Sequence, residues 1–426
     1  MFRRINTLKD VVDWELCIGC GACYYACGKG NISLINIDSI GIRPQFNSPE
    51  CGSCTDCLSI CPAYHVDASL KVPQTSRATR AEQEFGPALE IWEGYAQDTE
   101  VRYKASSGGI LSALAIFCLE QEGMEFVLHT GVDSEQPWIN RTVKSTNRDE
   151  ILTRTGSRYA PSSPCDGLQG IEDSTSKCVF IGKPCDVAAV GMLRKQNPRL
   201  DEQLGLVLTF FCAGTPSTQG TLDLLTSLDV TPAEVDTVRY RGEGWPGRFK
   251  VLFSGGDEGP SLSYEDSWKQ LTSYRPLRCN LCPDGLGRIA DISCGDAWER
   301  HAGDGNPGLS IVIVRTERGR EILRRAIAAK YVEVRRVDSN AVYAAQPNLL
   351  QRRRELFGRL LAMRLLGVPA PLFKGFSLFN GWIKQPVRLQ LRSVLGTLRR
   401  IVLRRWWMRR PVINGKQLRS SPMVRP

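Results

Sequence analysis

One spacing of cysteines occurs twice near the start of the chain, and it restricts the fold more than any other feature. The two runs are CIGCGACYYACG, from Cys17 to Gly28, and CGSCTDCLSICP, from Cys51 to Pro62. Each has the form C-x2-C-x2-C-x3-C, which is typical of paired [4Fe-4S] clusters, and the fourth cysteine of each run binds the other cluster. The spacing therefore predicts one cluster on Cys17, Cys20, Cys23 and Cys61, and a second on Cys51, Cys54, Cys57 and Cys27.

A pair of zinc sites is the alternative for these thiols, but zinc is usually bound by two separated C-x2-C pairs. Between the runs, NISLINIDSIGIRPQF alternates apolar and polar residues, which predicts a short hairpin. Pro62 follows the second run as the pattern requires, whereas Gly28 stands in the corresponding position of the first. This part of the chain resembles dicluster ferredoxins, and residues 1–75 are predicted to form an α+β ferredoxin-like module.

The remaining composition indicates a reducing compartment. The chain has 426 residues and 16 cysteines, and its N-terminus lacks the apolar segment of a secretory signal. We therefore expect reduced thiols that bind metal in a cytoplasmic protein. Only three histidines occur, so chemistry based on a histidine base has few candidates. Metal bound by cysteine, or an organic cofactor, is expected to carry the reaction.

Residues 76–345 are predicted to form an α/β domain with a partly parallel sheet. Apolar strands alternate with helical stretches, and turns that carry chemistry follow several strands. These turns contain, in order, Ser106-Ser107-Gly108-Gly109, TGSRY around Arg158, Gly182-Lys183-Pro184-Cys185, FFCAG with Cys212, and C-x2-C-x-D from Cys279 to Asp284 followed by ADIS-x-GD-x-W. A turn of Ser and Gly at a helix start can bind phosphate through its N–H groups, although a simple cap would have the same sequence.

Together and in this order, the motifs resemble the coenzyme F(420) hydrogenase/dehydrogenase beta-subunit family, over residues 85–345. The resemblance implies an α/β domain that binds FAD at the SSGG and TGSRY turns. The implied contacts are Ser107, Gly108, Gly109, Gly156, Ser157, Arg158 and Tyr159. Arg158 is expected to offset the charge of the pyrophosphate. Lys183 is expected either to hold a substrate carboxylate or tune the flavin, or to be a surface lysine.

The resemblance also implies a third [4Fe-4S] cluster near the flavin. Its expected ligands are Cys185, Cys212, Cys279 and Cys282. Cys118, Cys178 and Cys294 are expected to be structural, and Cys165 is the first substitute if the third cluster lacks a ligand. Asp296 is expected to cap a helix that begins at AWERH, and Trp298 to lie in the core. His301 is too isolated to support any assignment.

The C-terminal residues 346–426 are predicted to form a basic helical tail. From residue 351 onward the chain has 18 Lys and Arg and one acid, a net charge of +17, whereas residues 1–350 carry 37 bases and 44 acids, a net charge of −7. An apolar helix face is predicted at Leu391, Leu395, Leu398, Val402 and Trp406, and no run reaches the about 20 apolar residues that span a bilayer. Three occupants remain open: an anionic membrane surface, the acidic body of the chain and a partner subunit. Nucleic acid is disfavoured, because the body is not basic.

Two functions are compatible with these features. The first is an iron–sulfur flavoprotein oxidoreductase that passes electrons between ferredoxin, or a deazaflavin coenzyme, and an organic substrate. The family resemblance extends to enzymes encoded with polysaccharide pyruvylation genes, which adds polysaccharide biosynthesis as a setting. The second is a non-catalytic electron-transfer subunit of a larger hydrogenase or dehydrogenase complex. A cytoplasmic location, peripheral at the inner face of the membrane, is expected for either.

Overall fold

The computed structural model describes residues 4–28, 30–68, 79–298, 307–413 and 416–417. His301 and most of the helix predicted to start at AWERH lie outside the described residues. In the described parts, no helix is long and apolar enough to cross a bilayer.

The N-terminal elements form the small α+β module that the cysteine runs predict. In chain order they are α1 (Leu8–Asp13), α2 (Ala22–Ala26), β1 (Ile32–Ile37), β2 (Gly41–Phe46), α3 (Asp56–Ser59) and β3 (His65–Asp67). β1 and β2 pair in antiparallel register from Ile32↔Phe46 to Ile37↔Gly41, which confirms the hairpin between the two runs. Each run of cysteines therefore lies in a loop that leads into one short helix, on either side of the hairpin.

The central part of the chain alternates helices and strands. Its elements are α4 (Arg80–Phe85), β4 (Glu90–Ala96), α5 (Thr99–Lys104), α6 (Ile110–Glu120), β5 (Val127–Val132), β6 (Asn140–Ser145), α7 (Arg148–Thr153), α8 (Leu168–Glu172), β7 (Cys178–Gly182), α9 (Pro184–Gln196), α10 (Pro198–Gln203), β8 (Leu204–Phe210), α11 (Thr218–Thr226), β9 (Val235–Arg239), β10 (Arg248–Phe253), β11 (Glu258–Ser263), α12 (Tyr264–Leu271), α13 (Leu277–Asn280), β12 (Ile292–Asp296), β13 (Ser310–Val314), α14 (Glu317–Ala328), β14 (Val332–Arg336) and α15 (Ser339–Ala345).

Eight of these strands form one mixed sheet, in the order β14-β4-β13-β12-β8-β7-β5-β6. The inner pairs β12·β8, β8·β7 and β7·β5 are parallel, whereas β13, β4, β14 and β6 add antiparallel edges. β7 is buried at all five positions, as expected for a strand covered on both faces. The partly parallel α/β sheet predicted from the sequence is thus confirmed. A separate three-stranded sheet, β11-β10-β9, packs with α11 and α12.

The C-terminal elements are packed onto the N-terminal module. They are α16 (Pro347–Arg354), α17 (Leu356–Leu365), β15 (Leu372–Lys374), α18 (Leu378–Ile383), α19 (Val387–Leu403), β16 (Val412–Ile413) and β17 (Lys416–Gln417). β15 pairs in parallel with β3, and one apolar core contains Leu8, Cys23, Leu360 and Ile401. The predicted helical tail therefore exists as helices, and it shares a core with the cysteine module rather than extending from the body.

Candidate functional site

The two N-terminal groups of thiols differ in their exposure. The first group consists of Cys17, Cys20, Cys23 and Cys61, and none of these four side chains is more than 9% exposed. In the second group only Cys57 is buried, Cys27 and Cys51 are half-buried and Cys54 is exposed. The second group therefore lies at the surface and the first lies inside.

Two glycines allow the first run to approach the rest of the protein closely. Gly19 and Gly21 have φ angles of +71° and +85°, in the left-handed region that favours glycine. A Cβ on Gly21 would lie 2.8 Å from the backbone N of Asp166 and from Ser163 O. The loop that carries Cys17, Cys20 and Cys23 is thus seated directly against the α/β domain.

Electrostatic neighbours of the buried thiols follow the crossed pairing of the two runs. Burial, together with the nearby Cys27, Cys54 and Cys51, raises the pKa of Cys57 to about 12. Burial likewise raises the pKa of Cys61, whose cysteine neighbours are Cys20 and Cys17 of the other run. The fourth cysteine of each run thus sits with the first cysteines of the other. The two groups adjoin, because Cys57 Sγ lies 3.8 Å from Cys23 O.

The cysteines expected for a third cluster come together from three separate elements. Cys185 lies in the first turn of α9, Cys212 lies just beyond β8, and Cys279 and Cys282 lie in and just after α13. Burial and then the nearby Cys279 and Cys282 raise the pKa of Cys212 to about 12. Burial also raises the pKa of Cys185, with Cys212 and Cys282 among its neighbours. The structure therefore gathers all four at one place.

A buried arginine joins this third group to the first one. Arg278 is 3% exposed, and its guanidinium donates to Pro62 O at 2.9 Å, Ala63 O at 2.8 Å and Leu281 O at 3.0 Å. Pro62 and Ala63 follow Cys61 directly, and Leu281 precedes Cys282. The same core that surrounds Cys17 and Cys61 contains Leu281. Sequence reasoning missed Arg278, because nothing in RPLRCNLC distinguishes it from a surface arginine.

A second arginine, Arg352, holds the strand end of the third group. Its guanidinium donates to Cys212 O at 3.0 Å and to Ala213 O at 2.6 Å, from α16. Asp284 turns the chain after the C-x2-C pair by accepting the N–H groups of Leu286, Gly287 and Arg288. The acid of this motif therefore shapes the loop.

Lys183 is buried, which contradicts one of the two alternatives predicted for it. It is 5% exposed, and its Nζ lies 2.8 Å from Asp186 Oδ2 and donates to Ser162 O and Oγ at 3.0 and 2.7 Å. Burial lowers the pKa of Lys183, but the Asp186 carboxylate outweighs that effect, so the net pKa is raised. A surface position is thus wrong, and the ammonium is occupied by protein oxygens rather than free to hold a substrate or flavin. The ion pair fixes the first turn of α9, beside Cys185.

The other four cysteines are all buried. Cys118 and Cys294 lie in one core of the large sheet, and Cys178, the first residue of β7, lies in a second core together with Phe180. Cys165 is fully buried between Cys20, whose carbonyl accepts its N–H at 3.0 Å, and Asp186, whose carbonyl lies 3.6 Å from its sulfur. Cys165 therefore lies between the first group and the start of α9, and the third group has four thiols without it.

The SSGG and TGSRY turns meet, as their proposed common ligand requires. The N–H of Ser157 donates to Ser106 Oγ. Gly109 has a φ of +79° and precedes α6, whose N-cap has no side-chain hydrogen bond, so N–H donors remain at the start of this 11-residue helix. These donors suit a phosphate. Ser107, in contrast, uses its hydroxyl on Leu309 O at 3.1 Å and Ser310 Oγ at 2.9 Å.

Arg158 and Tyr159 hold the second turn in place. The guanidinium of Arg158 donates to Asn140 Oδ1, to Pro137 O at 2.6 Å and to Val238 O at 3.2 Å. The expectation that Arg158 neutralises a pyrophosphate is therefore not supported, because its donors serve protein acceptors. The ring of Tyr159 packs edge-on against Tyr240, with centroids 5.8 Å apart.

An ion pair that sequence reasoning missed lies next to these turns. Arg241 is 2% exposed and donates to both carboxylate oxygens of Asp296 at 2.8 and 3.0 Å, and Trp245 Nε1 donates to Asp296 Oδ1 at 2.9 Å. Asp296 is thus the acceptor of an arginine and a tryptophan, and most of the helix that it was predicted to cap lies outside the described residues. The stretch RGEGWPG, which holds Arg241 and Trp245, signals a turn by its glycines but does not signal the partner.

Aromatic rings surround this ion pair. Tyr264 and Trp298 stack at 5.2 Å with an interplanar angle of 18°, and the Arg241 guanidinium lies 4.6 Å from the Tyr264 centroid. Trp298 is half-buried here, and so it is not the fully buried core residue expected. A Cβ on Gly156 would meet Arg241 O at 2.9 Å. The TGSRY turn and the ion pair are therefore direct neighbours.

Sheet register places this ion pair beside the third group of cysteines. β12 and β8 are parallel, with Cys294 opposite Phe210. Asp296 and Cys212 each follow two residues later, so both leave the sheet at the same edge. Ligands of open α/β sheets bind outside the carboxyl ends of the strands.

Within the described ranges, no three Cys, His, Asp or Glu side chains are grouped as a site for a single metal ion.

Comparisons with known proteins cover both parts of the chain. Residues 91–169 and 175–340 match the models for coenzyme F420 hydrogenase/dehydrogenase, beta subunit, N-term and C terminus, and residues 16–64 match a 4Fe-4S dicluster domain. The coenzyme F420 hydrogenase subunit beta of Methanococcus voltae is 26% identical over 293 residues, which are 67% of this chain and 99% of that protein. A subunit of the F(420)H(2) dehydrogenase of Methanosarcina mazei is 22% identical over 368 residues, 84% and 92% of the two chains.

A solved structure shares the fold. It is a chain of the F420-reducing [NiFe] hydrogenase complex from Methanosarcina barkeri, with a TM-score of 0.53 and 21% identity, covering 71% of this chain and 100% of that one. The resemblance stated from the motifs is thereby confirmed, and so is the dicluster domain. The chain belongs to the coenzyme F420 hydrogenase/dehydrogenase beta-subunit family and carries a 4Fe-4S dicluster domain in front of it.

Proposed function

We propose that the protein is an oxidoreductase in which electrons pass through three [4Fe-4S] clusters to a flavin at the edge of the large sheet. The observation that carries this proposal is that the three groups of cysteines adjoin one another in space, from the surface to the edge of the large sheet. The exposed second group adjoins the buried first group, Arg278 joins the first group to the third, and the third lies beside Asp296. The first two steps rest on direct contacts, and the last rests on the parallel register of β12 and β8.

The order of the clusters follows from burial. Cys54 is exposed and Cys51 half-buried, so the second cluster faces an external electron carrier. The first cluster is enclosed and relays to the third. The proposed ligands of the third are Cys185, Cys212, Cys279 and Cys282, which sequence spacing alone could not connect.

The residues present fit FAD in part. The uncapped N–H groups at the start of α6, next to Gly108 and Gly109, suit a pyrophosphate, and Trp245, Trp298 and Tyr264 offer flat surfaces near it. Bound flavin would exchange single electrons with clusters and electron pairs with an organic substrate. Arg241 would remain the nearest buried cation, held in place by Asp296.

The external partner is proposed to be a ferredoxin, which would exchange single electrons with the second cluster, or a deazaflavin coenzyme, which exchanges a hydride and would therefore react at the flavin. Relatives named for coenzyme F420, including an F420-dependent formate dehydrogenase subunit beta, favour the deazaflavin. The relatives described here give no support to polysaccharide biosynthesis. Either partner is compatible with a cytoplasmic location.

Anaerobic reconstitution followed by cofactor analysis tests the proposal. About twelve iron atoms per chain are expected for three clusters, against about eight for two. Extraction should release flavin, and reduced deazaflavin coenzyme should bleach the bound flavin. Eight iron atoms, or a reconstituted protein without flavin, would contradict the corresponding part of the scheme.

The second candidate is an electron-transfer subunit without a substrate of its own. Names of relatives as hydrogenase and dehydrogenase subunits favour it. The same reconstituted protein distinguishes the two, because a carrier would be reduced by the deazaflavin but would turn over no small organic acceptor alone. Turnover in the absence of any other subunit would establish the enzyme.

A further inference from the structure

The C-terminal helix α19 contacts the body through a narrow face of small side chains. Ser393 and Thr397 are 2% exposed and Ile401 is fully buried, and these residues lie four apart along the helix. Trp382 Nε1 donates to Ser393 Oγ at 3.0 Å, and a Cβ on Gly358 of α17 would collide with that hydroxyl. The helix is thus seated closely, and Ile401 is the one large apolar residue of α19 that is buried.

Those large residues face away from the protein. Val387, Leu391, Leu395 and Val402 are 66%, 54%, 58% and 58% exposed, and they form one stripe of α19. In α18, Phe379 and Ile383 are 51% and 48% exposed. Together these six residues are named the apolar stripe. A contiguous exposed apolar surface of this kind marks an interaction site.

Arginines border the stripe, and they are more numerous than the acids that could pair with them. Arg388 and Arg399 are exposed on the turns beside Leu391 and Leu395. Arg392 bonds Glu355, and Arg409 and Arg410 bond Asp10 and Glu15, which accounts for how this positive segment stays on the body. α19 itself contains no acid, so the stripe is presented within a positive surface.

A basic cavity opens next to the same helices. It has a volume of about 210 Å³ and is lined by residues of α4, α16 and α18 and by the turn before α19. Its charged lining consists of Arg80, Arg353, Arg354 and Lys384 against the single acid Glu84, which pairs with Arg80 and Arg354. Arg353 donates to Gln83 O and Phe376 O, so the exposed Lys384 is the cation placed to meet a ligand. Lys384 and Pro386 connect the cavity to the apolar stripe, since they lie between Ile383 and Val387. An anionic group of phosphate type suits this charge.

We propose that the apolar stripe and the basic cavity together dock the protein on the surface of an anionic phospholipid bilayer. The stripe would enter the boundary between headgroups and acyl chains, the bordering arginines would face the headgroups, and the cavity would receive a lipid phosphate. Apolar residues on one side of a helix with arginines beside them are typical of helices that lie in the membrane interface. α19 carries arginines and no acid, and charge of a single sign suits a uniformly anionic lipid surface.

Sedimentation of the full-length, cluster-loaded protein with vesicles tests this proposal. Vesicles of phosphatidylglycerol and phosphatidylcholine should bind the protein more strongly than phosphatidylcholine alone, and salt should weaken the binding. The double variant Leu391→Glu with Leu395→Glu should bind at least tenfold more weakly. The variant Lys384→Glu should bind more weakly, by about fivefold for each unit of positive charge that it loses. Its binding should also depend less on the salt concentration than that of the natural protein.

Val132→Glu is the matched control, since Val132 is 42% exposed on the β5–β6 hairpin. It should bind as the natural protein does, and all variants should keep the natural iron content because every substituted side chain is exposed. The proposal is overturned if the natural protein does not bind the anionic vesicles, or if the double variant binds them as strongly as the natural protein does. A stable complex with a second protein that the double variant abolishes, without vesicle binding, would assign the stripe to a subunit instead.

Discussion

The first and third groups of cysteines reach the same kind of grouping by opposite routes. The first is built from two local motifs on either side of one hairpin, so spacing alone determines which thiols meet. The third is assembled from α9, the end of β8 and the loop around α13, and its geometry exists only because the sheet places these elements at one edge. Local chemistry can thus be read from spacing, whereas long-range chemistry depends on how the domain folds.

The strongest test of this contrast removes one thiol from the first group and, in a separate variant, one thiol from the third group. Cys61→Ser and Cys282→Ser should each lower the iron content by about four atoms, from about twelve to about eight. Cys294→Ser is the control, because Cys294 is 4% exposed in the sheet core and belongs to neither group. Iron analysis after anaerobic reconstitution measures the effect. Retention of about twelve iron atoms in Cys282→Ser would show that Cys282 is not a required ligand, and about eight atoms in the natural protein would show that the third group holds no cluster.

The buried ion pair beside Cys185 should be the next most sensitive position. Lys183→Met leaves Asp186 as an uncompensated carboxylate at 0% exposure, and breaking such a pair costs about 3–5 kcal/mol. Anaerobic urea titration should show a loss of that size, together with a weakened third cluster. Lys9→Met is the control, because Lys9 is 41% exposed and its buried partner Asp13 keeps a second ion pair with Arg409, so the change should cost about 1 kcal/mol or less. Equal losses in the two variants would contradict a special role for Lys183.

Arg278 tests the junction between the two routes. Arg278→Met removes three hydrogen bonds and leaves the carbonyls of Pro62, Ala63 and Leu281 without their donor, at a cost of about 3 kcal/mol. The same titration measures it, and the variant should keep about twelve iron atoms because no ligand is lost. Arg141→Met, on a 69% exposed side chain, should lie within about 1 kcal/mol of the natural protein. A loss below that for Arg278→Met would mean that the junction contributes nothing.

These positions show where sequence reasoning reaches its limit. The cysteine runs, the hairpin and the mixed sheet follow from local spacing and periodicity, and the structure has them. Arg278, by contrast, bonds residues 215 and 216 positions away, and Arg241 bonds Asp296 at a separation of 55. The surface position expected for Lys183 is wrong for the same reason, because a lysine in a turn gives no sign that it will be buried against Ser162. The sequence predicts the apolar face of α19, but Trp406 packs towards the core, and spacing alone does not say which side of the helix stays exposed.

The smallest predicted effect concerns the sheet away from every cysteine group. His129 lies in β5, donates to or accepts from Ser145 Oγ at 2.7 Å, and is 9% exposed. Burial, assisted by the positive Arg154, lowers its pKa from 6.5 to about 4. In the unfolded chain His129 is protonated below about pH 6.5, whereas in the folded chain it is protonated only below about pH 4. The free energy of unfolding therefore falls as the pH falls from about 6.5 to about 4.

At pH 5 this residue should cost about 2 kcal/mol of stability relative to pH 7.5, and His129→Gln should remove that part of the pH dependence. Urea titrations of both proteins at the two pH values measure it. If the difference between pH 7.5 and pH 5 is the same in both proteins, the titration belongs to other groups. If it shrinks in His129→Gln while the iron content is unchanged, the sheet loses stability in acid independently of the clusters. The large sheet, which positions the third group, would then be more sensitive to acid than the locally built first group.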